Sequence, residues 1–337
     1  MINENTSSRN KNRPFLLKPA GQDYLWGGTK LKKEYFKELD KSPLAETWEC
    51  STHPAGTSII NSGEFAGQEL TEVLHLHPEY LGTHPKTKGE LPILVKFIDA
   101  KEKLSIQVHP DDEYAKKYEK GSLGKTEMWY VMEAEENAKL IYGFQRDMDV
   151  EEVKKGLQSG TIEKYLQKIP VRKDDVFYIE AGTVHAIGEG IVLAEIQENS
   201  NLTYRLYDYN RIDKNGKKRK LHVEKALQVI NLKGSADVRQ PLRVLKYQKG
   251  CASELLCRCE YFQVERMLVN TRGCNTTIKL QTSYNSFQIL LCMDGEGSLK
   301  EENGTCLNIR KGDCIFIPAD SVKLELEGRG QLLRIGC

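Results

Sequence analysis

The side chains suited to chemistry crowd into Lys103 to Glu127, KLSIQVHPDDEYAKKYEKGSLGKTE. Successive side chains of a strand alternate between faces, so Ser105, Gln107 and His109 share one side while Leu104, Ile106 and Val108 take the other. Pro110 cannot donate to a ladder and closes the strand, Asp111 or Asp112 caps the short helix EYAKKYEK, and Gly121 terminates it. The chain returns through GSLGKTEMWYVM, a second strand with Lys125 and Glu127 on one face. Two neighbouring strands then offer an amide oxygen, an imidazole and a carboxylate to one point, which is the start of a metal site.

The elements that must position these groups are mostly strands. LPILVKFIDA reads as a fully buried strand leading into the segment, and AKLIYGF continues the sheet after Glu127. Residues 171 to 211 are β-branched and aromatic runs punctuated by glycine, the pattern of antiparallel strands with tight turns. GQELTEVLHLHPEYLGT predicts a helix flanking the domain that carries these groups; on it His75 and His77 face different ways and are read as solvated or packed side chains. DMDVEEVKKGLQSGTIEKYLQKI predicts two helices broken near Ser159 and Gly160, forming an inserted lobe. KLHVEKALQVINL predicts an amphipathic linker helix, and strands resume from about Pro241.

An internal repeat sets the architecture. KDDVFYIEAGTVHAI, from Lys173, matches KGDCIFIPADSVKLEL, from Lys311: a basic residue, an acidic turn, an apolar strand and a second turn. The preceding hairpins MWYVMEAEENAKLIYG and SFQILLCMDGEGSLK extend the match. Each copy is one corner of a small antiparallel barrel, so the fold expected is mainly β, with two jelly-roll barrels and a helical insertion or flanking lobe. His185 of the first copy is replaced by Lys323 in the second, which also lacks counterparts of Gln107, His109 and Glu127. The second barrel is therefore expected to be metal-free and structural. The boundaries read from this are a tail over 1–13, a metal-binding domain over 14–235 and a second domain over 236–337.

These segments resemble the cupin superfamily: Asp175, Gly182 and His185 match its second motif, with Glu180 in the proline position and Gln107 in place of the first motif's first histidine. LSIQVHPDD, GKTEMWYV, AGTVHAIG and ENSNLTYRLYDYNR in that order, with DYLWGG and LAETWECSTHPAG before them, resemble the type I mannose-6-phosphate isomerases, in the short bacterial form. The resemblance implies one zinc ion held by Gln107, His109, Glu127 and His185, a set with two imidazoles, two oxygen donors and a single negative charge. It implies an aldose–ketose conversion between mannose 6-phosphate and fructose 6-phosphate by proton transfer through an enediol. Arg205 then stabilises the enediolate, Glu195 is the candidate base, Lys125 shuttles a proton or orients an oxygen, and Ser105 lies near the phosphorylated sugar. For Arg205 and Glu195 the competing reading is a structural ion pair. The competing function is a regulatory cupin that binds phosphosugar without converting it.

The totals fit this expectation. A chain of 337 residues suits two domains, and a net charge of +1 gives no general attraction to nucleic acid or anionic membrane. No apolar run is long enough to span a bilayer. Nine cysteines without a C-x-x-C pair point to reduced thiols and a cytoplasmic home.

Overall fold

A computed structural model of the chain describes residues 12–84, 86–87, 89–212, 216–235 and 244–337, so most of the expected N-terminal tail and the start of the second expected domain lie outside the described residues. The protein is mainly β, and its chain divides into two compact units. One unit joins residues 19–56 to residues 93–242; the other joins residues 57–92 to residues 243–337 and includes the strand Phe15–Lys18.

This division differs from a single cut near residue 235. The reason is strand pairing: Phe15–Lys18 pairs with Cys314–Ile317 on one side and with Ile59–Ile60 on the other. The helix Leu70–Leu76 likewise buries Leu70, Val73 and Leu74 and belongs to that unit.

The unit containing the candidate residues is a sandwich of two antiparallel sheets. Six strands run in the order Val176–Ile179, Glu127–Ala134, Ile191–Glu198, Ile93–Ala100, Glu46–Cys50, Ala20–Gln22. Five more run in the order Tyr204–Tyr207, Ile106–Val108, His185–Ala186, Lys139–Phe144, Leu166–Pro170. Trp129, Phe177 and Leu193 of the first sheet pack with Leu140, Tyr142 and Ile169 of the second. The opposite face of the five-stranded sheet carries Ile106, Val108, Phe144 and Leu206, covered by Val153 and Ala226 from the helices Val150–Gln158 and Val223–Val229. The alternation read in SIQVH is thus real: apolar residues meet the helices and Gln107 turns inward.

Two expectations change here. The second helix predicted after Gly160 is a single 3-10 turn, Ile162–Lys164, followed by the strand Leu166–Pro170, which pairs with Lys139–Phe144. Leu166 and Ile169 suited a helix, but ladder bonding to the neighbouring strand overrides that local preference. Nor does any sheet close into a barrel among the described residues; each remains an open path of strands.

The other unit is a ten-stranded antiparallel sheet built on the long strands Gln288–Glu301 and Leu324–Gly336. Leu290, Cys292, Leu299, Ile309, Ile315, Leu326 and Leu332 fill its interior.

The repeat appears in the backbone of both units. Arg172 N–H donates to Asp175 Oδ2 at 3.0 Å, and Arg310 N–H donates to Asp313 Oδ2 at 2.9 Å. Asp174 and Gly312 adopt positive φ at the same step of each turn. Among the described residues the nine cysteines are free thiols.

Candidate active site

Register brings the candidate side chains onto facing surfaces. In the five-stranded sheet Gln107 lies between His185 on one neighbouring strand and Arg205 on the other, and directly opposed residues share a face. In the six-stranded sheet a row runs across from Trp129 to Glu195, Lys96 and Trp48, with Glu127 and Glu46 two residues along their strands on the same face. His109 follows the end of its strand. The turn bearing His185 is tied to it through Gly182, whose N–H donates to the His109 carbonyl at 2.8 Å. Gly182 has φ +87, and a Cβ there would meet the Val229 carbonyl at 2.9 Å, so the position requires glycine.

The centre is Glu127, fully buried. Its Oε1 is 3.1 Å from His109 Nε2 and 3.1 Å from His185 Nε2, while Lys125 Nζ lies 3.1 Å from Oε2. The Gln107 amide is 3.3 Å from His185 Nε2. From this centre a chain of alternating charge leads away: Lys125 to Glu195 at 3.7 Å, Glu195 to Lys96 at 3.2 Å, Lys96 to Glu46 at 3.8 Å. Trp129 donates its indole N–H to Glu195 Oε2 at 2.9 Å, and Trp48 does the same for Glu46 at 2.8 Å. Three carboxylates therefore share two ammonium groups, and Glu127 is the one that meets the histidines.

Electrostatics sort the carboxylates. Burial favours protonation of Glu127, but Lys125 and the imidazoles overcome it and hold the group well below the usual carboxylate range. Glu195 is pushed up to about 7, by burial first and then by the Glu127 charge, against the pull of Lys125 and Lys96. Burial, then Lys125, brings His109 down to about 3, which keeps its imidazole neutral.

The donor set fits a divalent cation. Each histidine ties its Nδ1 to a backbone carbonyl, His109 to Leu202 at 2.8 Å and His185 to Thr183 at 2.9 Å. That fixes the tautomer and leaves both Nε2 lone pairs facing Glu127. Glu127 Oε1 is buried and faces two unprotonated Nε2 atoms, an acceptor among acceptors and a costly condition that a cation relieves. The ligand atoms of His109, Glu127 and His185 lie within 4.8 Å of one another. A half turn of the Gln107 amide adds an oxygen to two imidazoles and a carboxylate, suiting a borderline ion.

Arg205 is half-buried, and its Nε is buried without an acceptor. Its guanidinium is disfavoured by burial and then by nearby Arg219. It does not pair with Glu195, which is held by the two lysines and Trp129. Ser105 is buried two residues before Gln107, outside the contacts that define the cluster. The helix residue His75 is exposed, and His77 stacks on Tyr80 at 4.9 Å and bonds Glu79 at 3.0 Å. Lys323, the counterpart of His185, pairs with Glu302 at 3.3 Å on the surface.

Sequence reasoning missed Lys96, Glu46, Trp129 and Tyr24. A lone lysine inside ILVKFI was the available signal, because a charge buried in a strand demands partners. Tyr24, from DYLWGG, is pushed up to about 12 by burial and Glu46 while feeling Arg205, Arg219 and Lys125, so it belongs to the same charged neighbourhood.

The fold and site together define an isomerase of the cupin type. Residues 15–140 match the catalytic domain of type I phosphomannose isomerases, and residues 253–336 match the mannose-6-phosphate isomerase cupin domain. The chain belongs to the type I mannose-6-phosphate isomerase family, whose members are aldose–ketose isomerases. It is 36% identical to a probable mannose-6-phosphate isomerase of Bacillus subtilis across 94% of this chain and 96% of that one. It is 33% identical to a mannose-6-phosphate isomerase of Streptococcus mutans across 94% and 95%. The crystal structure of the Bacillus subtilis mannose 6-phosphate isomerase superposes with a TM-score of 0.87, at 33% identity, covering 96% of this chain and 99% of that one.

Proposed function

We propose that this chain interconverts mannose 6-phosphate and fructose 6-phosphate between the two sheets of its 19–56 and 93–242 unit, with one divalent cation, read as zinc, held by Gln107, His109, Glu127 and His185. Such an ion polarises the sugar's hydroxyl and carbonyl oxygens. The remaining work falls to the chain. Glu195 removes the proton at one of C1 and C2 and returns it to the other, in step with an enediol. Its carboxyl sits between two ammonium groups, and a value near neutrality suits a group that must both accept and release a proton. Lys125 bridges Glu127 and Glu195 and is placed to orient a sugar oxygen or carry its proton. Arg205 offers a fixed positive charge to the developing enediolate oxygen, and Ser105 serves the phosphorylated end.

The observation that carries this reading is the buried row Lys96, Glu195, Lys125 alongside a His-Glu-His cluster. An acid of shifted affinity beside a cation site is the arrangement that general acid–base catalysis uses. The 57–92 and 243–337 unit is read as a metal-free, cupin-like structural domain, in keeping with its apolar interior. No helix is long and apolar enough to cross a membrane, and we read the enzyme as cytoplasmic. A coupled assay run beside metal analysis tests the proposal: metal-loaded protein that leaves mannose 6-phosphate unconverted would refute it.

A further inference from the structure

Thr126 lies between Lys125 and Glu127, and both neighbours contribute to the cluster. It precedes the strand Glu127–Ala134 and is buried, so its backbone N–H needs a partner beyond the start of that ladder. Glu198, 2% exposed at the end of the strand Ile191–Glu198, supplies it. Glu198 Oε1 accepts from Thr126 N–H at 2.7 Å, and Glu198 N–H donates to the Thr126 carbonyl at 3.1 Å.

The carboxyl is itself held. Asp112 presses a second acid against it, and burial followed by this neighbour pushes Glu198 up to about 8. Asp112 also accepts Gly124 N–H at 2.8 Å, and Lys125 N–H reaches the Pro110 carbonyl at 3.0 Å. Gly124 is packed so closely that a Cβ would stand 2.5 Å from the Asp111 carbonyl carbon and the Asp112 nitrogen. Ser200 Oγ donates to the Leu123 carbonyl at 3.0 Å, and Gln197 Nε2 donates to the Glu198 carbonyl at 2.9 Å. The returning loop is thereby fixed at each step from Leu123 to Thr126.

We propose that Glu198 is a positioning residue of the cation site: its buried carboxyl, backed by Asp112, clamps the Thr126 backbone and so sets Lys125 and Glu127 at the cluster together. The proposal rests on the reading that His109, Glu127 and His185 hold a divalent cation. It needs an acceptor oxygen toward Thr126 and a donor toward Asp112, which a glutamine side chain also provides.

The test uses the full chain stripped by chelation and titrated with cobalt(II), following the ligand-field absorption band, with zinc affinity read by competition against a chromophoric chelator. Glu198→Ala should lower metal affinity roughly ten- to a hundredfold and alter the cobalt band, the usual effect of losing a group that orients a ligand. Glu198→Gln should restore affinity and band. An alanine variant that binds cobalt with wild-type affinity and spectrum overturns the clamp. So does a glutamine variant with wild-type melting temperature that fails to restore them, since charge and not hydrogen-bond geometry would then matter. Should the alanine variant not fold, Glu198→Asp, one methylene too short to reach Thr126, takes its place with the same expectation. A wild-type chain that takes up no cobalt removes the metal reading itself; equal uptake by wild type and Glu198→Ala removes only the clamp.

Discussion

Replacing Glu195 with glutamine separates its role as a base from its role as a counter-ion. Its Oε1 faces Lys96 at 3.2 Å and Lys125 at 3.7 Å, and its Oε2 accepts from Trp129 at 2.9 Å. A glutamine has one oxygen, so either an ammonium or the indole N–H must face an NH₂ group. One lost buried hydrogen bond costs about 1–3 kcal/mol of stability. The change leaves Glu46 and Glu127 against Lys96 and Lys125, a balanced set, so the fold should persist. Losing a positioned base costs roughly 10²–10⁴ in kcat, equivalent to about 3–5 kcal/mol of barrier. Turnover followed by a coupled assay should fall by at least about a hundredfold, while metal content stays near stoichiometric. Deuterium from solvent should cease to enter the sugar at C1 or C2. A Glu195→Gln enzyme that keeps its metal and turns over within about tenfold of wild type would refute the assignment, because tenfold is only about 1.4 kcal/mol. Glu195 would then be a counter-ion for two lysines, with the base elsewhere.

Other outcomes follow from the same geometry. His185→Ala and Glu127→Ala should lose bound metal by elemental analysis whereas Lys323→Ala keeps it; equal loss in all three would contradict the asymmetry of the repeat. Arg205→Ala should retain metal and melting temperature but lose roughly 10²–10³ in kcat, as for removal of a donor to a developing oxyanion; a rise in KM alone would assign Arg205 to substrate binding. Glu198→Gln should flatten the pH dependence of stability. With a folded value near 8 against an ordinary carboxylate when unfolded, the native state holds a proton that the unfolded chain releases, so stability is fullest below the unfolded value and falls as pH rises through about 8. The slope reaches at most about 1.4 kcal/mol per pH unit. Denaturant midpoints of the metal-stripped proteins measured across that range should diverge, and parallel curves would show that Glu198 is not the group concerned.

How much of this the sequence disclosed depends on the range of the interaction. Alternation in SIQVH and the cap at Asp111, which accepts Tyr114 N–H at 2.8 Å, are decided within a few residues and were readable. The two copies of the acidic turn were readable as well, because each Asp closes its own turn on the residue three before it. Lys96 carried only the signal that a buried charge needs partners, and Glu46 carried none, since their pairing comes from cross-strand register between segments that carry no mark of being neighbours. The predicted helix after Gly160 failed for a similar reason: nothing in TIEKYLQKIP announces the strand Lys139–Phe144 as its partner. Glu198 escaped notice because its bond to Thr126 joins the end of one strand to the residue just before another.

The pairing of Phe15–Lys18 with Cys314–Ile317 has a consequence for how the molecule is made. A ribosome releases the first of these strands long before the second exists. Until Cys314–Ile317 has emerged, the edge of Phe15–Lys18 not covered by Ile59–Ile60 lies open to any stray edge. Vectorial synthesis therefore leaves the ten-stranded sheet to be completed late, and a nascent chain stalled short of Cys314 can seat Phe15–Lys18 only against Ile59–Ile60.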